Sequence, residues 1–261
     1  DSLNLTTNTQ PLMLMSGIAV YRAWKSLGGP DPAFIAGHSL GEYTALVVSG
    51  VMTYEDALSM VRFRGKVMQE AVPEGIGKMA AILGLNDDVI QTVCSEVTRD
   101  SEAESLEPAN FNSPGQVVIA GHKNAVLRGI ELAKEKGAKM AVLLPMSVPS
   151  HCSLMAPAAA KMKQELELIA LQAPSIPVIH NADVKQHKNS TDIKTILVKQ
   201  LCIPVRWTDT INTLTTEDVT HIVECGPGKV LTGLNRRINK NLQNISLTDT
   251  NALRQTISIL V

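Results

Sequence analysis

The stretch AFIAGHSLGEYTALVVSG, residues 33–50, decides the fold class because two glycines join a short apolar run to a helix pattern. The run at 33–36 predicts a buried strand, and the apolar spacing that follows predicts a helix ending near Gly50. Between them, Gly37-His38-Ser39-Leu40-Gly41 matches G-x-S-x-G, the sharp strand-to-helix turn that presents a nucleophilic serine. We therefore predict that Ser39 is a nucleophile and that the Leu40 N–H stabilises an oxyanion. The alternative is a glycine-rich turn with an N-capping serine.

The segments on either side of this turn predict the rest of the architecture. Residues 75–145 read as βαββαβ, the order of a ferredoxin-like subdomain. Strands alternate with helices in residues 1–74 and 146–261, which predicts an α/β domain with a mainly parallel sheet covered by helices. We therefore expect the subdomain at 75–145 to be an insertion into that domain.

Arg64 is a charged residue in the middle of an apolar helix face. In the helix predicted at 54–71, the successive 100° rotations place Arg64 among Ala57, Val61 and Met68. A buried guanidinium needs an anion to meet it. The helix pattern allows two explanations, a structural carboxylate elsewhere in the chain or an anionic substrate. The second would imply a free acid group, which a guanidinium binds through two parallel hydrogen bonds.

A serine nucleophile needs a base, and the chain has six histidines. His151 lies in the loop SVPSHC, residues 147–152, which follows the last strand of the predicted insert. Loops at strand ends are where such sheets place their functional residues. The sequence pattern alone leaves His151 as one candidate among several.

Composition excludes several classes of function. The formal net charge of −1 gives no basic face for nucleic acid, and no apolar run is long enough to span a membrane. The four cysteines have no metal-ligand spacing, so we expect free thiols, a cytoplasmic location and no metal or other cofactor. We also expect a monomer.

Six motifs in register resemble the bacterial malonyl-CoA:acyl-carrier-protein transacylases of type II fatty acid synthesis. The match runs over essentially the whole chain in the family's order: GHSLGEYTALVVSG, RFRGKVMQEAVPEG, NFNSPGQVVIAG, SVPSHC, QLCIPVRW and ECGPGKVLTGL. The resemblance implies an acyltransferase that moves a malonyl group from coenzyme A to acyl carrier protein. It also implies a hydrolase-like α/β domain with a ferredoxin-like insert, which agrees with the architecture predicted above.

The resemblance assigns a role to each matching residue. Ser39 matches the nucleophile, His151 its general base, and Arg64 the arginine that pairs with the malonyl carboxylate. Gln200 matches a residue whose backbone carbonyl holds the histidine tautomer, and Asn112 matches a polar residue near the acyl pocket.

The family's N-terminal strand and Gly-Gln-Gly loop have no counterpart in the sequence. That loop supplies a glutamine to the oxyanion hole, so we expect one of two oxyanion donors to be missing. Two alternatives follow. The first is an α/β-hydrolase-type esterase, with His221 after Asp209 or Asp218 completing the triad. The second is an inactive truncated fragment that only docks carrier protein, with Arg236, Arg237 and Lys240 in a docking face.

Overall fold

The structure is a computed structural model that describes residues 5–101, 103–146 and 148–261. Residues 1–4 of the predicted first segment and Ser147 of the predicted loop lie outside the described residues. Helices and strands alternate along much of the chain. In order they are α1 (Thr6–Ser26), β1 (Ile35–Ala36), α2 (Gly41–Val48), α3 (Tyr54–Ala71), β2 (Gly77–Leu83), α4 (Asp87–Arg99), β3 (Leu106–Ser113), β4 (Gln116–His122), α5 (Lys123–Glu135), β5 (Met140–Leu143), α6 (Ala156–Glu167), β6 (Val178–Ile179), α7 (Ser190–Gln200), α8 (Trp207–Thr216), β7 (His221–Glu224), α9 (Val230–Ile238), β8 (Gln243–Ser246) and α10 (Thr250–Leu260).

The parallel strands form two short pairs. β1 pairs with β6, which brings Ile35 opposite Val178, and β7 pairs with β8. The predicted α/β class is confirmed by these strands and the helices around them. Where the sequence predicts one mainly parallel sheet, the described residues form two separate parallel pairs. β1 is only two residues long because the turn at Gly37 begins directly after it.

The largest sheet lies between Gly77 and Leu143 and is antiparallel. Its strand order is β3-β4-β2-β5, and each neighbouring pair runs antiparallel. Helices α4 and α5 pack on it around a separate apolar core that includes Ile82, Ile90 and Ile119. The order of its elements, β2-α4-β3-β4-α5-β5, is the order that the sequence predicts for residues 75–145.

Helix α3 carries the apolar face on which Arg64 lies. It spans Tyr54–Ala71, as the sequence predicts, and the Thr53 hydroxyl caps it by accepting a hydrogen bond from the Asp56 N–H at 3.0 Å. Met60 and Val61 pack in the largest core cluster, together with residues from α1, α2, α6 and α7. Among the described residues no helix combines the length and the apolarity that crossing a bilayer requires.

Candidate active site

The turn between β1 and α2 holds Ser39 in an unusual backbone conformation. Its φ is 51°, which lies in the left-handed region that residues other than glycine rarely adopt. Gly37 makes the turn possible, because a Cβ added there would lie 2.0 Å from the Gly41 carbonyl carbon and oxygen. The strained backbone brings the half-buried Ser39 side chain to the end of β1, as a nucleophile elbow requires.

His151 accepts a hydrogen bond from the hydroxyl of Ser39. The Ser39 Oγ lies 2.8 Å from His151 Nε2, and His151 Nδ1 lies 2.7 Å from the backbone oxygen of Gln200. A carbonyl oxygen can only accept, so the hydrogen of the neutral ring is on Nδ1 and the Nε2 lone pair faces Ser39. A backbone carbonyl thus does for this histidine what a carboxylate does in a Ser-His-Asp triad.

Burial keeps His151 uncharged. Its side chain is 3% exposed, and burial first, then the charge of Arg64, lower its pKa to about 3. The hydrogen bond to the Gln200 carbonyl offsets part of that shift. At neutral pH the imidazole is therefore free to take a proton from Ser39.

Arg64 is buried beside the nucleophile and meets only neutral groups. Its Nη2 donates to Ser39 Oγ at 3.1 Å and to Gln200 Oε1 at 3.0 Å, and its Nη1 donates to Gln10 Oε1 at 2.8 Å. The Nε is buried without a partner, and within the described parts of the chain Arg64 forms no ion pair. Of the two explanations that the sequence leaves open, a structural carboxylate in direct contact with Arg64 is therefore absent from the described residues.

Asn181 and Glu42 are two buried residues that hold the turn at Ser39 through hydrogen bonds. The sequence did not predict either of them. Asn181 accepts a hydrogen bond from the Ser39 N–H through Oδ1 at 2.6 Å and donates to the Gly37 carbonyl at 2.7 Å. Glu42, on the first turn of α2, accepts from the Asn181 N–H at 3.0 Å and from Gln200 Nε2 at 2.9 Å. Gln10 is a third residue that was missed, and it reaches Arg64 from α1.

The two remaining predicted site residues lie on either side of Ser39. Leu40 is the N-cap of α2, so its N–H lies outside the hydrogen-bond ladder of that helix. Asn112, on β3, contacts His38 and not Ser39, because its Oδ1 lies 2.8 Å from His38 Nε2. His38 also packs against Trp207 with ring centroids 5.7 Å apart, and burial lowers its pKa. Asn112 therefore reaches the elbow through the residue that precedes the nucleophile.

The other histidines have partners of their own. The esterase alternative requires His221 at the nucleophile, but His221 Nδ1 lies 2.9 Å from the Thr220 hydroxyl, and the histidine at Ser39 is His151. His122 accepts from the Ser105 N–H, His180 contacts Glu42 and His187 contacts Asp183. The site thus combines a serine hydroxyl, a neutral imidazole and a buried guanidinium.

The chain is similar in sequence and fold to known acyl transferases. A family profile described as the acyl transferase domain matches residues 1–249. The chain is 50% identical to the malonyl CoA-acyl carrier protein transacylase of Escherichia coli K12, over 99% of this chain and 83% of that protein. The corresponding Bacillus subtilis protein is 44% identical, over all of this chain and 81% of its own length.

Two solved structures extend the likeness to three dimensions. The malonyl CoA-acyl carrier protein transacylase of Coxiella burnetii matches with a TM-score of 0.96 and 44% identity, over 98% of this chain and 80% of that one. A malonyl-transacylase in complex with its type II PKS acyl-carrier protein also has a TM-score of 0.96, at 47% identity, over 98% and 82% of the two chains.

Proposed function

This chain belongs to the acyl transferase domain family, and on that premise we propose that it transfers a malonyl group from coenzyme A to acyl carrier protein in fatty acid biosynthesis. The observation that supports this most is the position of Arg64. Its guanidinium lies 3.1 Å from the Ser39 hydroxyl, is 2% exposed and has only neutral partners. A buried cation beside a nucleophile is suited to an acyl group that carries its own carboxylate.

The first half-reaction loads Ser39. His151 Nε2 takes the hydroxyl proton while Ser39 Oγ attacks the thioester carbon of malonyl-CoA. The Leu40 N–H, together with the dipole of α2, stabilises the oxyanion of the tetrahedral intermediate. When the carbon–sulfur bond breaks, the proton on His151 goes to the sulfur of coenzyme A, and the malonyl group remains as an ester on Ser39.

The second half-reaction transfers the malonyl group from Ser39 to acyl carrier protein. The phosphopantetheine thiol of acyl carrier protein gives its proton to His151 and attacks the ester carbon. The carbon–oxygen bond to Ser39 breaks, the proton returns to Ser39 Oγ, and the malonyl group leaves as a thioester of the carrier protein. No step calls for a metal or another cofactor, and their absence is part of the proposal.

Arg64 selects the acyl group in this mechanism. Ser39 Oγ becomes an ester oxygen on acylation and is then a poorer acceptor, so the Nη2 hydrogen that it held becomes available to the malonyl carboxylate. The buried Nε, which has no partner, offers a second donor on the same side of the guanidinium. Together they form the two-pronged geometry that a carboxylate prefers.

The proposal extends to the architecture and the location. We assign residues 1–74 and 146–261 to a hydrolase-like domain and residues 75–145 to a ferredoxin-like subdomain, supported by the separate sheet and core of the latter. A cytoplasmic location is supported by four free cysteines. Arg236, Arg237 and Lys240 are all exposed and remain our candidates for docking an acidic carrier protein.

Intact mass after brief incubation with malonyl-CoA tests the function directly. We expect one malonyl adduct on the wild type and on Ser95→Ala, a control at an exposed serine, and none on Ser39→Ala. A folded wild type without an adduct would refute the transferase. If that protein still bound carrier protein, the binding-only alternative would replace it.

A further inference from the structure

Glu42 is a buried carboxylate that the proposed mechanism does not use. It lies three residues after Ser39 and its side chain is 0% exposed. Its Oε1 lies 2.7 Å from His180 Nδ1, and its Oε2 accepts from the Asn181 N–H and from Gln200 Nε2. Within the described residues it pairs with no lysine or arginine.

Three possible donors face this carboxylate. Its Oε2 accepts from two N–H groups, and its Oε1 faces His180 Nδ1, which donates to it when the hydrogen of that ring is on Nδ1. His180 Nε2 is buried without a partner among the described residues, so a second N–H there would have no acceptor. With that ring neutral, Glu42 is a buried carboxylate that no described cation contacts.

The side-chain amide of Gln200 separates this charge from Arg64. Its Nε2 donates to Glu42 and to the Ser39 carbonyl, and its Oε1 accepts from Arg64 Nη2. The negative charge and the positive charge are thus connected through one neutral amide. Burial lowers the pKa of Arg64, and Tyr43 and then Glu42 offset part of that lowering. Arg64 gains a counter-charge without losing its N–H groups to it.

We propose that Glu42 is a specificity-determining residue. It is the counter-charge of Arg64, separated from it by the Gln200 side chain, and it limits how tightly the site binds an acyl carboxylate. This rests on the proposed function in one respect, that Arg64 receives the carboxylate. A carboxylate at Arg64 is attracted by the guanidinium and repelled by Glu42 on the far side of Gln200. Weaker binding of the carboxylate makes the acyl group easier to transfer from Ser39 to the carrier protein.

Glu42→Gln removes the charge and keeps the shape. The glutamine oxygen can still accept from Asn181 and Gln200, and its NH₂ can face His180 Nδ1 once that ring moves its hydrogen to Nε2. We expect the variant to bind malonate about thirtyfold more tightly, from the repulsion between unit charges roughly 8 Å apart at an effective dielectric constant of about 20. A residue that served only to support the fold would weaken binding when replaced.

The measurement is the protection of Ser39 by malonate against an uncharged fluorophosphonate that labels reactive serines. Glu224→Gln is the matched control, because Glu224 also accepts from two backbone N–H groups, those of Leu231 and Thr232, away from Ser39. His180→Gln perturbs the Glu42 network but keeps its charge. We expect half-protection at about thirtyfold lower malonate in Glu42→Gln alone. Unchanged or weaker protection in that variant, or no protection of the wild type, would overturn the inference.

A second variant adds a negative charge near Arg64 instead of removing one, and it serves if Glu42→Gln does not accumulate as folded protein. Gln200→Glu places a carboxylate in direct contact with Arg64, and we expect it to abolish protection by malonate. Full protection in Gln200→Glu would overturn the inference. Malonyl adduct formation by the wild type is scored separately, so a normal adduct with unchanged protection in Glu42→Gln refutes the role of Glu42 and leaves the transferase standing.

Discussion

Replacing Arg64 with alanine should remove the preference for malonyl over acetyl groups. The guanidinium is the described cation that contacts Ser39 Oγ, at 3.1 Å, and its other partners are the neutral amides of Gln10 and Gln200. Acetyl-CoA has no carboxylate to pair with it. The loss should therefore be selective for the charged acyl group.

The size of the effect follows from the hydrogen bonds that the malonyl carboxylate would lose. A hydrogen bond to a charged group contributes about 1.5–3 kcal/mol, and a two-pronged pair in this buried site contributes about 3–4 kcal/mol. That corresponds to a loss of about 10²–10³-fold in kcat/KM for malonyl-CoA. Acetyl transfer should fall much less, because only the Arg64 hydrogen bond to Ser39 Oγ is lost there.

Single-turnover acylation of Ser39 with malonyl-CoA and acetyl-CoA measures both rates on the same protein. Arg62→Ala is the matched control, because Arg62 is an exposed arginine on the same helix. We expect its malonyl-to-acetyl ratio to equal that of the wild type. If Arg64→Ala kept the wild-type ratio while remaining folded, the assignment of Arg64 to the carboxylate would be wrong.

Two further predictions concern His151 and the elbow glycines. Because the pKa of His151 is about 3 in the folded protein and about 6.5 when unfolded, the unfolded chain alone binds its proton between these values. The free energy of unfolding should therefore fall as the pH decreases below 6.5, by up to about 1.4 kcal/mol per pH unit, and urea titrations at pH 7 and pH 5 should show a smaller difference in His151→Gln. A pH dependence unchanged in that variant would contradict the shift. At the elbow, Gly37→Ala should abolish acylation, since its Cβ would collide with Gly41, whereas Gly41→Ala, with no atom within 4 Å of the added Cβ, should remain active in the same mass assay. Equal activity of the two variants would refute this account of the turn.

Local patterns in the sequence predicted the elements that depend on local chemistry. The apolar spacing predicted α3 with its observed bounds, and the same helical periodicity placed Arg64 on the buried face. Glycines at 37 and 41 predicted the turn that holds Ser39 with a positive φ. Each of these signals lies within a few turns of chain, where side-chain periodicity and backbone sterics are decisive.

Contacts between distant segments could not be read in this way. Gln10, Glu42 and Asn181 contribute through hydrogen bonds that join residues 54 to 158 positions apart, and amides and carboxylates at such separations leave no periodic trace. The sequence analysis also did not predict helix α8, for a different reason. Its buried residues at 207, 210, 211 and 214 follow helical spacing, but a threonine-rich sequence of low helix propensity obscured it.

The long separations around Ser39 also set when the protein becomes chemically competent during its own synthesis. The bond from Ser39 to His151 spans 112 positions, and the bond from Gln200 to the Ser39 carbonyl spans 161. At about 5–20 residues per second, Gln200 is translated roughly 8–32 seconds after Ser39. Until then the nascent chain carries only an ordinary serine hydroxyl. Malonyl-CoA in the surrounding solution thus meets an unactivated Ser39 on an unfinished chain, and we expect its acylation to begin only after the protein has folded around it.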